Sequence, residues 1–185
     1  MDILQAIGRY QPYTPEEKVE KEVVLDLLEK RGKQILYRTS PLAHVTAAVM
    51  VFNPERDKLL MIKHNILGTW ACVGGHADGE ENLLSVAKKE LREETGVFDA
   101  KPFSEEMVSL DILSVMAHYK RESYVPNHLH INATYAFFAE ESVRLSIKED
   151  ENSQVAWIPV NEMEPNCKEK NFVKVYKKVI EKIIY

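Results

Sequence analysis

The sequence predicts an α/β fold in which a mixed central sheet lies between two layers of helices, an α/β/α sandwich. Three observations support this class: a helical pattern near the N-terminus, a β-rich section that one further helix interrupts, and a helical pattern at the C-terminus. Helices and a sheet that bury their apolar sides against each other form such layers. With 185 residues, the chain is long enough for one domain. We predict a single domain over 1–185, with an N-terminal helical extension (1–42), a core (43–160) and a C-terminal helix (161–185).

The first predicted element is a helix that follows an irregular segment at residues 1–13. Thr14 and Glu17 form a capping box around Pro15, which predicts the start of the helix, and Gly32 is a suitable end. Its apolar residues recur at helical spacing: Val19, Val23, Val24, Leu27 and Leu28. We expect this extra helix to pack on the outside of the sheet. A dimer contact or a lid over the substrate is the alternative role.

The β-rich section begins after this helix. Apolar and β-branched segments predict strands over 44–52, 59–63 and 70–73, and the first two form a hairpin around the turn at 53–57. A long strand is predicted over 107–118.

The second half of the chain continues with a predicted loop over 119–127. Residues 128–140 alternate between apolar and polar side chains, which predicts a strand. One side carries Leu129, Ile131, Ala133, Tyr135 and Phe137, and the other carries His128, His130, Asn132 and Thr134. The polar side is expected to line a cleft or face water. A last strand over 155–160 and a helix over 169–184 complete the pattern.

A further helix is predicted inside the segment Gly75–Val97. Asp78 and Glu81 predict its start as a variant of the capping box, and Gly96 predicts its end. One stripe should face the core, formed by Leu84, Ala87 and Leu91. The second half of this helix carries Glu90, Glu93 and Glu94 at i, i+3 and i+4, so three carboxylates crowd one patch. Solvent can screen such a cluster, or a hard dication such as Mg²⁺ can bind in it.

The same segment resembles the Nudix box. The residues that match are Gly75, Glu81 and the run Glu90-Leu91-x-Glu93-Glu94-x-Gly96-Val97. The departure is Lys89, where the family has an Arg that braces the glutamates. A lysine offers one ammonium group and not a planar fork that grips a carboxylate twice. The resemblance covers about residues 43–160 and is weak outside the box, and it implies the same sandwich fold.

The resemblance also implies a chemistry. Nudix proteins hydrolyse a nucleoside diphosphate linked to another group, with Mg²⁺ or Mn²⁺ as cofactor. By position, Glu90 and Glu94 would be the main metal ligands, and Glu93 would be a further ligand or would orient water. Gly75, Glu81 and Lys89 would support the site. Several subgroups use a carboxylate before the last strand as the general base or an extra ligand, which makes Glu151 a candidate; a solvated turn is the plain alternative.

Several other polar residues could contact a substrate. His128 and His130 could meet a phosphate or a base, although strand histidines are more often simply hydrogen-bonded. His76 is expected to position the backbone, and Lys63 is an edge-strand lysine that could meet a phosphate.

Composition limits the class of partner and the location. The net charge of −5 makes nucleic-acid polymers poor partners, whereas a small anionic substrate can still bind a local site. Cys72 and Cys167 are too few for a disulfide scaffold, and no Cys/His spacing suggests zinc. We find no signal peptide and no membrane span, so we expect a cytoplasmic protein.

Two other function classes remain open at this stage. Trp70-Ala71-Cys72 invites comparison with isopentenyl-diphosphate isomerases, which share the Nudix fold and use a cysteine after a tryptophan. A non-catalytic nucleotide-binding module is the other alternative. The near-complete box favours hydrolysis over both.

Overall fold

The computed structural model describes residues 1–120 and 122–185. Its helices are Ile3–Arg9 (α1), Pro15–Arg31 (α2), Leu83–Thr95 (α3), Met163–Asn166 (α4) and Lys170–Ile184 (α5). Its strands are Ala43–Phe52 (β1), Lys58–His64 (β2), Thr69–Ala71 (β3), Val73–His76 (β4), Lys101–Pro102 (β5), Ser109–Val115 (β6), His118–Lys120 (β7), Ser123–Val125 (β8), His128–Phe138 (β9) and Asn152–Pro159 (β10).

The central sheet is mixed, as predicted. Its strands run in the order β10-β2-β1-β9-β5, while β3 pairs with β2, β4 with β1 and β6 with β9. β1 and β9 are parallel along their length, from Ala43 opposite Leu129 to Phe52 opposite Phe138. The neighbouring pairs, such as β1 with β4 and β2 with β10, are antiparallel.

Helices cover both faces of this sheet, which confirms the predicted class. One face of β1, including Val45 and Val49, shares a core with α1, α2 and α3. The opposite face, including Met50 and Phe52, shares a second core with α4 and α5. Because successive residues of a strand point to opposite faces, a central strand that is covered twice is apolar nearly throughout.

The N-terminal extension is part of the main core. The capping box of Thr14 and Glu17 forms at the start of α2, as predicted. The prediction of an irregular segment at 1–13 is wrong, because α1 begins after Asp2, whose side chain accepts a hydrogen bond from the Gln5 amide at 2.8 Å. Ile3 and Ile7 are buried on one side of this helix. A helix this short is stable only through packing, so its sequence pattern is weak.

Buried ion pairs hold α2 against β6 and α5. The Lys178 ammonium lies 2.7 Å from Glu17 Oε1 and 2.6 Å from Asp111 Oδ1. Glu17 is fully buried and also accepts a hydrogen bond from the Ser109 hydroxyl at 3.1 Å and from the Tyr13 amide at 2.6 Å. Sequence periodicity gave no sign of this cluster, because its members come from three separate elements.

Several predicted strands have different limits. The predicted strand over 70–73 is two strands, β3 and β4, which are interrupted at Cys72. The predicted strand over 107–118 is β6 followed by β7. β7 and β8 pair as a small hairpin that overlaps the predicted loop over 119–127, of which Arg121 lies outside the described residues.

The polar side chains of β9 are largely buried and do not face water. Thr134 is fully buried, and Asn132 is nearly so. Asn132 accepts a hydrogen bond from the Thr46 hydroxyl at 3.0 Å and donates one to Thr134 Oγ1 at 3.0 Å. These buried polar groups therefore form hydrogen bonds with one another.

Over the described ranges, no helix is both long enough and apolar enough to cross a membrane.

Candidate active site

The acidic helix α3 begins later than predicted. Its N-cap is Asn82, whose side-chain oxygen accepts a hydrogen bond from the Ser85 amide at 3.2 Å. The predicted cap at Asp78 is wrong, because Asp78 has a φ of 46° and its carboxylate is bound by the Arg38 guanidinium, with Nε 2.8 Å from Oδ1. The helix ends as predicted at Gly96, which adopts the left-handed conformation with φ of 73°.

Three carboxylates come together beside the buried face of α3. Glu90 and Glu94 lie on the helix, and Glu151 lies at the start of the segment that enters β10. One oxygen atom from each lies within 4.8 Å of the others. Only 2% of Glu94 and 8% of Glu90 is exposed to solvent. A solvated acidic helix end, the alternative left open by the sequence, does not describe these two residues.

The electrostatics of this group favour a bound cation. Burial, followed by the nearby Glu151 and Glu90 carboxylates, raises the pKa of Glu94 to about 8. Burial also raises the pKa of Glu90. Glu94 Oε1 is buried, and none of the described residues donates a hydrogen bond to it. Clustered carboxylate oxygens, one of them buried without a donor, fit a hard dication such as Mg²⁺, which takes oxygen ligands.

Gly75 leaves room for this group. It pairs with Ala47 in the β1–β4 ladder, directly beside α3. A Cβ atom at this position would lie 2.6 Å from Glu90 Oε1, which is an overlap. The absent side chain therefore lets the Glu90 carboxylate approach the strand, which supports the predicted role of Gly75.

Glu93 lies at the edge of the group and contacts lysines. Lys148 Nζ is 3.1 Å from Glu93 Oε2 and 3.0 Å from Glu151 Oε1, so it links the helix to the Glu151 loop. Although partial burial acts to lower it, hydrogen bonds with Glu151 and Glu93 raise the pKa of Lys148. Sequence reasoning gave Lys148 no role. Its only local signal is the i, i+3 spacing to Glu151, because the link to Glu93 arises from the fold.

Glu81 lies outside this group. Its carboxylate pairs with Lys33 at 2.6 Å, in the loop before Asn82. The pair joins the loop to the short turn that follows α2, so Glu81 is placed to hold the entry to the helix.

Lys89 lies over the acidic patch as its position in the box implies. Its Nζ is 3.6 Å from Glu90 Oε1 and 3.8 Å from Glu93 Oε1, and the side chain is largely exposed. One ammonium thus serves two carboxylates at long distances, without the bidentate contact that an arginine makes.

We predict that Lys89 restrains Glu90 and Glu93 weakly. Lys89→Ala should lower kcat and weaken Mg²⁺ binding, whereas Lys89→Arg should leave turnover unchanged or raise it modestly, because small misplacements of catalytic groups cost large factors in rate. The measurement is kcat against Mg²⁺ concentration for the three proteins. Lys88→Ala, on the neighbouring position of α3, is the control. Identical curves for Lys89→Ala and wild type would show that Lys89 has no bracing role.

Cys72 has the surroundings of a structural residue. It is buried in the core with α5, and its amide donates a hydrogen bond to the Tyr176 hydroxyl at 2.9 Å. Burial raises the pKa of the Cys72 thiol, which keeps it protonated, whereas reactive cysteines lie in electropositive, partly exposed places. These observations disfavour the isomerase alternative.

We therefore predict that Cys72→Ala retains most of its turnover. The measurement is kcat/KM on any substrate that the protein hydrolyses, with Cys167→Ala as the matched control in the same core. A loss of about a thousandfold, within the range expected for removal of a catalytic acid or base, would revive the isomerase alternative.

The chain is similar to known proteins in both sequence and fold. The NUDIX domain matches residues 42–183. A protein of Lactococcus lactis described as a probable DHNTP pyrophosphohydrolase is 26% identical over 140 residues, which cover 76% of this chain and 80% of that protein.

Solved structures share the fold. The Escherichia coli dihydroneopterin triphosphate pyrophosphohydrolase aligns with a TM-score of 0.58 at 11% identity, covering 75% of this chain and 95% of that one. An Ap4A hydrolase of Caenorhabditis elegans aligns with a TM-score of 0.58 at 11% identity, covering 76% and 97%. The predicted resemblance to Nudix proteins is confirmed. The relatives include pyrophosphohydrolases, which is the enzyme class that the resemblance implied. The chain belongs to the Nudix family.

Proposed function

We propose that this protein is a Mg²⁺-dependent hydrolase that cleaves the pyrophosphate bond of a nucleoside diphosphate linked to another group. The observation that carries the proposal is the trio of Glu90, Glu94 and Glu151, of which the first two are buried and of which one carboxylate oxygen each lies within 4.8 Å of the others. Glu94 Oε1 is buried without a donor among the described residues, and two further carboxylates lie beside it, so the trio suits a cation and the anionic substrate that a cation attracts.

The roles of the residues follow from their placement. Glu90 and Glu94 would hold Mg²⁺ from one helix, and Mn²⁺ offers the same coordination to oxygen ligands. The bound dication supplies positive charge that offsets the negative charge of the two phosphates and of the attacking water as it loses its proton. Glu151 approaches from a separate loop, so it can complete the ligand set or accept the proton of that water. Lys148 restrains Glu151 and Glu93 through its two ion pairs.

The substrate class rests on the family and on one relative. Nudix relatives include pyrophosphohydrolases, and the Lactococcus protein, at 26% identity, is described as acting on DHNTP. The candidate substrates are therefore dihydroneopterin triphosphate, ADP-ribose, sugar nucleotides, dinucleoside polyphosphates and oxidised deoxynucleoside triphosphates.

A homodimer stays a prediction. The apolar Val19 and Val23 on the outer face of α2 are exposed and available for such a contact.

The test is hydrolysis of this panel with Mg²⁺ and with EDTA, in which chromatography separates and identifies the phosphorylated products. We expect metal-dependent hydrolysis of at least one compound, and loss of that activity in Glu151→Gln. Matched assays with isopentenyl diphosphate address the isomerase alternative. Binding of panel members without turnover would instead identify a nucleotide-binding module, and hydrolysis that persists in EDTA would contradict the metal dependence.

A further inference from the structure

Five of the six histidines of the chain gather at one end of the sheet. They are His44 of β1, His76 of β4, His118 of β7, and His128 and His130 of β9. The His44 ring centroid is 5.0 Å from that of His76 and 4.8 Å from those of His128 and His130. The rings of His76 and His130 are 5.0 Å apart. Four separate strands build this cluster, so no Cys/His spacing could reveal it.

The contacts of these rings assign their hydrogens. His44 Nδ1 lies 3.4 Å from the Ser40 carbonyl oxygen, and a carbonyl only accepts, so this nitrogen carries the hydrogen. Nε2 of the neutral ring is then a lone-pair donor to a cation. It is buried, and within the described part of the chain it has no hydrogen-bond partner. An unpaired buried nitrogen of this kind costs free energy unless something binds it.

Two consecutive hydrogen bonds likewise determine which ring nitrogen of His130 carries the hydrogen. His128 Nδ1 lies 2.9 Å from the Pro126 carbonyl oxygen and therefore carries the hydrogen of that ring. His128 Nε2 then accepts from His130 Nε2 at 3.3 Å. This leaves His130 Nδ1 as an unprotonated nitrogen. In metal sites, a ligating histidine usually donates its other ring N–H to a neighbour that fixes the tautomer, and both His44 and His130 have that arrangement.

We propose that His44, His76 and His130 form a second metal site, for a divalent transition metal of the zinc class. One ring nitrogen from each residue lies within 4.8 Å of the others. Around a tetrahedral Zn²⁺ with Zn–N bonds of about 2.0–2.1 Å, two ligand nitrogens are separated by about 3.3 Å. Coordination of one ion therefore requires the three rings to close in from this limit, and three ligands leave a fourth position for water or a substrate group.

The chemistry of the donors selects this class of metal. Imidazole nitrogen suits Zn²⁺, Cu²⁺ and Ni²⁺, whereas Mg²⁺ takes oxygen ligands. A ligating histidine must be neutral. The hydrogen bonds described above leave one unprotonated ring nitrogen on His44 and one on His130.

The histidine site is separate from the carboxylate site. A Cβ atom on Gly75 would point at Glu90, on the face of β4 that meets α3. His76 is the next residue along the same strand, so its side chain leaves from the opposite face. The two sites thus lie on opposite sides of one strand, and each offers its own set of donor atoms.

The experiment is titration of Zn²⁺ into the full-length protein in the presence of excess Mg²⁺. We expect one zinc equivalent to bind. His130→Ala and His44→Ala should weaken binding by about 100-fold, and His128→Ala by about 10-fold, in line with the losses seen when the partner of a ligand is removed. His64→Gln is the control, since His64 lies outside the cluster and accepts from the Ile66 amide. Glu94→Gln should still bind zinc.

A second measurement needs no variant. In the wild-type protein, zinc should shift the ring ¹⁵N resonances of His44, His76 and His130 and leave those of His64 unchanged. Co²⁺ should give the intense visible bands of a tetrahedral site. Absence of zinc uptake by the wild type would overturn the proposal. So would uptake that survives in both His44→Ala and His130→Ala, or uptake that is lost in Glu94→Gln alone.

Discussion

Glu94→Gln should lose Mg²⁺ binding and lower kcat by about a thousandfold or more. The change keeps the shape of the side chain but removes the charge that holds the cation at the trio. Charge stabilisation by a metal supplies several kcal/mol at the transition state, and each 1.4 kcal/mol or so is a tenfold change in rate. The measurements are isothermal titration with Mg²⁺ and kcat on the best substrate of the panel. The control is Glu105→Gln, because Glu105 is an exposed acidic residue before β6.

The same variant should be more stable than wild type when metal is absent. The folded pKa of Glu94, about 8, lies above its usual value of 4.5, so the folded chain keeps a proton that the unfolded chain has released. This contribution is complete below pH 4.5 and is lost as the pH rises through 8. Between these values, the free energy of unfolding of the wild type should fall by about 1.4 kcal/mol per pH unit from this group.

Urea denaturation in EDTA at several pH values measures this effect. The difference in the free energy of unfolding between Glu94→Gln and wild type should widen with pH and level off above about pH 8. Mg²⁺ should then stabilise the wild type alone. A difference that does not change with pH would show that Glu94 ionises normally. It would contradict the raised pKa that burial and the neighbouring carboxylates give to Glu94.

Lys178→Met should destabilise the protein by about 3–5 kcal/mol. Although burial opposes its charge, the hydrogen bonds with Asp111 and Glu17 raise the pKa of Lys178, so the ammonium stays charged between them. Hydrogen bonds with Lys178, among others, outweigh burial and lower the pKa of Glu17. Removing the cation leaves two buried carboxylates without compensation, which is far more costly than the loss of the pair itself.

The neighbouring residue gives a matched control. Lys177 pairs with Glu164 at 2.6 Å, but more than half of each side chain is exposed, so Lys177→Met should change stability by less than about 1 kcal/mol. Adding Glu17→Gln and Asp111→Asn to Lys178→Met should recover part of the loss. Equal effects of Lys177→Met and Lys178→Met in urea denaturation would contradict the structural role of the buried ion pairs.

Elements with strong local signals were predictable from the sequence. The capping box of Thr14 and Glu17 marks the start of α2, and Gly96 marks the end of α3, because both depend on the backbone within one turn. The i, i+4 spacing of Glu90 and Glu94 places both carboxylates on one side of a helix whatever surrounds it. These features survive in the fold because tertiary contacts reinforce them.

Features that depend on distant partners were not predictable. Asp78 looked like a helix cap, but Arg38, forty positions earlier, binds its carboxylate and leaves the cap to Asn82. Glu151 and Lys148 reach the acidic helix only because β10 pairs with β2. His44, His76 and His130 come from strands that are adjacent in space and far apart in sequence. Local periodicity carries no information about such pairings.

The parallel pairing of β1 with β9 has a consequence for folding kinetics. Residues 53–127 separate these two strands, so a long loop must close before the ladder gains any hydrogen bond. We expect the centre of the sheet to form late and the chain to refold slowly for its size. During synthesis, β1 is apolar on both faces and has no parallel partner until Phe138 has been added, so it is the segment most exposed to aggregation. α2, which precedes β1 and begins with a capping box, has local signals of its own and can form first.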